Sequence, residues 1–136
     1  MPATPGVTAQ TSDANRVAVD VPAALNRLLS RLRWLQPTEQ GLMWRDWNNN
    51  VHLAAAVSAA RGAPTSHVQI HRIRQGVNPD PRGSILWAIG RVLSEHSPVP
   101  ITPDYFWVPA TRAAVDLAID AQLRQLRDVF AREPRS

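Results

Sequence analysis

Between residues 51 and 93 apolar side chains recur at helical spacing in three separate runs, divided by two sets of turn residues. Leu53, Ala54, Val57 and Ala60 share one face of a helix over 51–61, which Gly62 closes. Pro64, Thr65 and Ser66 then open a short helix that carries Val68, Ile70 and Ile73 and ends at Gln75 and Gly76. After Val77, Asn78 and Pro79, Asp80 and Pro81 form a cap-then-proline start for a third helix, with Ile85, Leu86, Ile89, Val92 and Leu93 inward. This order predicts a helix-turn-helix core. Its physical logic is a rigid pair of helices whose second, short member turns its polar side chains outward.

The flanks read as helix too. Asp20, Val21 and Pro22 announce a helix in which Leu25, Leu28, Leu29, Leu32 and Leu35 recur on one face, with Arg27, Arg31 and Arg33 elsewhere. Pro37 disfavours helical geometry in the residue before it, so the expected end is Gln36. Residues 1–20, small and polar with scattered proline, glycine and threonine, are expected to form a disordered tail. Leu42, Met43, Trp44 and Trp47 read as one amphipathic turn before Asn48, Asn49 and Asn50. The two tryptophans either pack on their own domain or meet a partner, and packing is the more ordinary use. Residues 97–100 break the chain, residues 102–106 form one turn carrying Tyr105 and Phe106, and a final helix runs over 109–132. No glycine-punctuated alternating run is visible, so no sheet is expected. The expectation is an all-α chain: a five-helix domain over 21–108 followed by a long C-terminal helix over 109–133.

Composition narrows the partners. All 15 basic residues are arginine and the formal charge is +4, which favours a polyanion because guanidinium pairs bidentately with phosphate and with guanine edges. The arginine-only set, with abundant alanine and proline, also fits a high-GC bacterial coding sequence. With 0 cysteines, disulfides and thiolate metal sites are excluded, as suits a reducing cytosol. No apolar run approaches a membrane span, and Met1 to Pro5 lack the charged and apolar blocks of a signal peptide, so the chain is expected in the cytoplasm without membrane contact. Catalytic signatures are missing: no nucleophile elbow, no Walker loop and no H-E-x-x-H. The acids Asp13, Asp20, Glu39, Asp46, Asp80 and Glu95 are scattered, several at helix starts where capping accounts for them. His67 and His71 stand at metal-ligand spacing, but no acid in that helix completes a site. His52 and His96 stand alone. Neither an enzyme nor a cofactor is expected.

The stretch Ser66-His67-Val68-Gln69-Ile70-His71-Arg72-Ile73-Arg74-Gln75-Gly76, followed by Asn78-Pro79, resembles the recognition helix and loop of the XRE (Cro/C1-repressor-like) helix-turn-helix family. With Ile85 to Ile89 and Asp104-Tyr105-Phe106 added, the pattern is similar to that of EspR-type mycobacterial nucleoid-associated regulators. The resemblance spans roughly 22–120 and rests on spacing more than identity. Residues 37–49 are longer than the family's usual first loop, and the second helix lacks the family's Gln-Glu-Leu-Ala pattern. What the resemblance implies is binding of double-stranded DNA, with the helix around 65–75 in the major groove. Carried over by position, Ile70 and Ile73 match buried anchors, and His67, Val68, Gln69 and Arg72 match base-reading positions. Thr65, Ser66, Arg74 and Asn78 match phosphate ligands, and Asn49 and Asn50 are candidates for more. The plainer reading of Gln69 and Arg72 is a solvated face.

In the last helix Val115, Ile119, Leu123, Leu126 and Phe130 form a continuous stripe, with Arg112, Arg124, Arg127 and Arg132 around it. Some 24 residues span about 36 Å, longer than a five-helix core covers. Ile119, Leu123, Leu126 and Phe130 are therefore expected to form a homodimer interface, as half-site readers commonly do. The leading expectation is a transcriptional regulator or nucleoid-associated protein, a small phage immunity repressor being a variant of it. The alternative is a protein-interaction module, antitoxin-like or adaptor, using Trp44, Trp47 and the last helix.

Overall fold

The computed structural model describes residues 20–77, 81 and 83–132. Residues 1–19 of the expected tail, the Asn78 phosphate contact and the Asp80 cap lie outside them. Helix α1 is Val21–Arg31; the Asp20 side chain accepts from Ala23 N at 3.3 Å and Pro22 sits in the first turn. It buries Val21, Ala24, Leu25, Leu28 and Leu29.

The helix stops five residues short of the expected Gln36. Leu32 turns extended, and the chain enters strand β1, Arg33–Thr38, which pairs antiparallel with β2, Gly41–Asp46. The expectation of an all-α chain is corrected here, together with the amphipathic turn over 42–47. Pro37, which pushes Gln36 toward extended geometry, also suits a two-stranded sheet, where each strand has a free edge and a missing N–H is tolerated. Gly41, at φ 106°, supplies the left-handed backbone at the tight connection, and Thr38 Oγ1 donates to Gly41 O at 2.7 Å. The register runs from Arg33 opposite Asp46 to Thr38 opposite Gly41. Leu35 misleads a helical reading because it falls three residues after Leu32 while belonging to a strand.

Helices α2 (Asn50–Arg61), α3 (His67–Arg74), α4 (Gly83–Ser94), α5 (Asp104–Trp107) and α6 (Pro109–Arg132) follow, so the described residues hold six helices and one hairpin. Gly62, at φ 67°, closes α2 with its N–H on Ser58 O. The core gathers Leu25, Leu28 and Leu29 of α1 with Leu53 of α2, Ile70 and Ile73 of α3 and the inner face of α4. Tyr105 and Phe106 of α5 enter it fully buried, edge to face with centroids 5.6 Å apart.

The long α6 finds cover along much of its length within the one chain. Val115, Ile119 and Leu123 are buried in the common core, and Asp116 accepts from Arg27 Nε and from the Tyr105 hydroxyl, each at 2.7 Å. Burial, reinforced by that bond to Asp116, pushes the Tyr105 hydroxyl up from its usual range. Further along, Leu126 shares a groove with β1, and Phe130 meets Trp44 with ring centroids 5.8 Å apart. Of the four residues expected at a dimer seam, Ile119 and Leu123 are core residues, whereas Leu126 and Phe130 stay half-buried beside the hairpin.

The hairpin is held by rings. Trp34 stacks on His96 with centroids 3.7 Å apart and planes at 3°, and leans on Trp47 at 5.9 Å. Gln122 of α6 donates to His96 O at 3.1 Å, so this one histidine joins β1, α6 and the segment after α4. Burial holds the His96 imidazole below its ordinary pKa, against a smaller opposing effect of Glu95. The folded state thus prefers neutral His96. Its stabilisation is present above about pH 6.5 and is lost as the pH falls through the lowered value. The thermal midpoint is expected to drop below about pH 6.5, before carboxylates titrate near 4, and the drop is expected to shrink in His96→Phe. Equal pH profiles for the two proteins, followed by tryptophan fluorescence, would overturn this.

Gly90 is where the α4 helix meets the chain before α5. A Cβ there would lie 2.5 Å from Ile101 O and 3.2 Å from its carbonyl carbon, both backbone atoms that cannot swing aside. Gly90→Ala is expected to cost about 1–3 kcal/mol by overpacking, lowering the urea midpoint at an unchanged slope.

Candidate nucleic-acid interface

Helices α2 and α3 are joined by residues 62–66, and this joint is built from side-chain bonds to the backbone. Ser58 Oγ accepts from Thr65 N at 2.8 Å and lies within donating distance of Ala54 O and Thr65 O, at 2.8 and 3.0 Å. Arg61 Nη1 donates to Thr65 Oγ1 and to Pro64 O. Thr65 is only 6% exposed. Its expected role as a phosphate ligand is corrected: the hydroxyl accepts from Arg61 and braces the turn.

Ser66 and Gln69 form a reciprocal capping box at the start of α3. Ser66 Oγ accepts from Gln69 N at 3.1 Å, and Gln69 Oε1 accepts from Ser66 N at 2.8 Å. Both residues remain exposed, but the Gln69 amide oxygen is drawn back over the helix end. Ile70 and Ile73 are buried, as expected of the anchors. His67, Val68, His71 and Arg72 lie exposed on the other side. The Arg72 guanidinium has no hydrogen bond or ion pair among the described residues, whereas Arg27 and Arg31 are matched by Asp116 and Asp120 at 2.7 and 2.8 Å.

Arg74 is used differently from the expectation. Its Nε donates to Asn26 Oδ1 at 2.7 Å and its Nη1 to Asn50 Oδ1 at 2.9 Å, while Asn26 Nδ2 donates back to Arg74 O at 2.8 Å. Arg74 and Asn50, expected as phosphate ligands, are half-buried members of a clamp joining α1, α2 and α3. Burial lowers the Arg74 pKa, yet guanidinium stays protonated in proteins. Asn49 caps α2, its side chain accepting from His52 N at 3.0 Å, and remains exposed. Asn26 escaped the sequence reading altogether; the only cue was a polar residue next to Leu25 and within a turn of Leu28.

Compared with family models, curated proteins and solved structures, the chain finds no match. The site therefore rests on its own geometry and charge. Between Asp46 and Asp80 the sequence contains no acidic residue, a run that covers all of α2 and α3 and carries Arg61, Arg72, Arg74, His52, His67 and His71. That signal was available in the sequence and is sharper than the net charge. Among the described residues no helix is long and apolar enough to cross a membrane.

Removing the clamp tests its role. Arg74→Ala leaves two part-buried asparagines without their charged partner and is expected to cost about 1.5–3 kcal/mol of stability in urea unfolding. Arg74→Lys is expected to recover little, because a lysine cannot bridge Asn26 and Asn50 as a fork does. A variant Arg74→Ala as stable as the parent would return Arg74 to the set of free surface cations.

Proposed function

We propose that the protein binds double-stranded DNA, with α3 in the major groove, as a transcriptional regulator or nucleoid-associated protein of the repressor-like helix-turn-helix kind. One observation carries the reading: α3 is anchored by two buried isoleucines, and its outward face offers an uncommitted arginine within a stretch free of acidic residues. A cationic face unopposed by carboxylates suits a phosphate-lined groove, where arginine also recognises guanine edges. The ion pairs of α1 with α6 neutralise Arg27 and Arg31, whereas Arg61, Arg72 and Arg74 have no carboxylate partner among the described residues. The sequence resemblance to the XRE family supports the same orientation of α3. The homodimer expected of a half-site reader keeps Leu126 and Phe130 for its seam, since Ile119 and Leu123 are taken by the core. Trp44 and Trp47 pack, partly buried, against the core, which favours this reading over the interaction-module alternative.

Binding of the purified chain to duplex DNA is expected to weaken steeply with salt, log K falling against log salt with a slope of about −0.9 for each phosphate neutralised. Fluorescence anisotropy on genomic and random duplexes measures it. Absence of binding at low salt on both would overturn the reading.

A further inference from the structure

At about 100° per residue, the faces of α3 can be assigned from its buried pair. Ile70 and Ile73 point into the core, and the direction opposite them belongs to Val68, His71 and Arg72. Gln69 lies to one side of that direction, and its amide oxygen is held 2.8 Å from Ser66 N by the capping box. A bidentate contact from glutamine to adenine needs that oxygen to accept from the base amino group while the amide nitrogen donates to N7. The cap turns this end of the side chain along the helix axis instead of outward. Val68, by contrast, is exposed at the centre of the outer face, with His71 and Arg72 about 50° to either side of it.

We propose that α3 reads DNA through Val68, His71 and Arg72, selecting a guanine close to a methyl-bearing pyrimidine, and that Gln69 takes no part in base reading. The inference rests on the DNA-binding function proposed above and specifies its substrate. Arg72 presents donors only. Guanine offers two acceptors in the major groove, O6 and N7, whereas adenine sets an amino donor beside its N7 and so repels half of the arginine fork. Val68 is 43% exposed and lies four residues before Arg72, a rise of about 6 Å along α3. Base pairs are stacked at about 3.4 Å, so Val68 reaches a base one or two steps from the guanine. An aliphatic side chain there distinguishes thymine by its C5-methyl group.

The test uses the full chain and a pool of randomised duplexes selected at one fixed salt concentration. Expected is a recovered site with an invariant guanine and a thymine one or two steps away. Replacing that guanine with 7-deazaguanine is expected to weaken binding roughly 5- to 150-fold. Replacing the thymine with deoxyuridine, which lacks one methyl, is expected to weaken it about fourfold. Gln69→Glu keeps the capping oxygen and is expected to lower affinity for every duplex alike, leaving the recovered sequence unchanged. Arg72→Ala is expected to abolish the guanine preference, and since both positions are exposed, circular dichroism should report an unchanged fold. A recovered site with adenine in place of the invariant guanine, or a preference lost in Gln69→Glu, overturns this inference alone. Failure of the parent chain to bind any duplex overturns the DNA-binding reading beneath it.

Discussion

An eight-residue helix cannot hold itself in water, because nucleating the first turn costs more than so few backbone bonds return. The placement of α3 therefore depends on what grips it from outside. Ile70 and Ile73 grip one face by burial, the capping box closes its start, and Arg74 ties its end to Asn26 of α1 and Asn50 of α2. These three devices act on the core face and on the two termini. None takes the side chains of Val68, His71 or Arg72, so rigidity is obtained without consuming the outer face.

The same economy of position governs the other end of the molecule. A 24-residue helix has more apolar surface than a small core can cover, and exposing the remainder would invite association. Here the hairpin covers part of it. Trp44 lies against Phe130, and the other face of the hairpin is fastened by Trp34 on His96. An isolated two-stranded hairpin is marginal in water, so β1 and β2 need α6 as much as α6 needs them. Trp44 and Phe130, which looked like parts of separate surfaces in the sequence, meet each other here.

The helices were legible because their signals are local. Asp20, Asn49 and Ser66 cap where short polar residues should, and the bounds of α6 follow from its apolar spacing and the prolines before it. The hairpin was not legible, for a physical reason. Its strands alternate poorly: Arg33, Trp34 and Leu35 are all half-buried, since α6 lies on one face and the His96 segment on the other. With no clean period of two, Leu35 continued the leucine spacing of α1 and extended the helix on paper. At the candidate site the buried anchors Ile70 and Ile73 were legible, and the bonding of the polar side chains around them less so. A position within the motif says which side chains come near the second helix, but not which of them the fold consumes. Thr65, Arg74 and Asn50 are polar residues at the right places for phosphate, but a local bond across the turn engages Thr65, and long-range bonds between elements engage Arg74 and Asn50.

That distinction bears on how charge is distributed over the fold. A count of 15 arginines implies a diffuse cation, yet their partners differ by region. Arg27 and Arg31 face Asp116 and Asp120 across the α1–α6 contact, and Arg112 is turned onto the carbonyls of Tyr105 and Phe106. Arg61 and Arg74 are engaged by the turn and the clamp, yet neither is paired with a carboxylate, so their positive charge is not cancelled. They raise the potential over α2 and α3 from behind, while Arg72 in front is free to make directional bonds. Under the DNA-binding function proposed above, long-range attraction and short-range recognition would fall to different arginines, and the absence of acids from 47 to 79 would keep the first from being cancelled before the second can act.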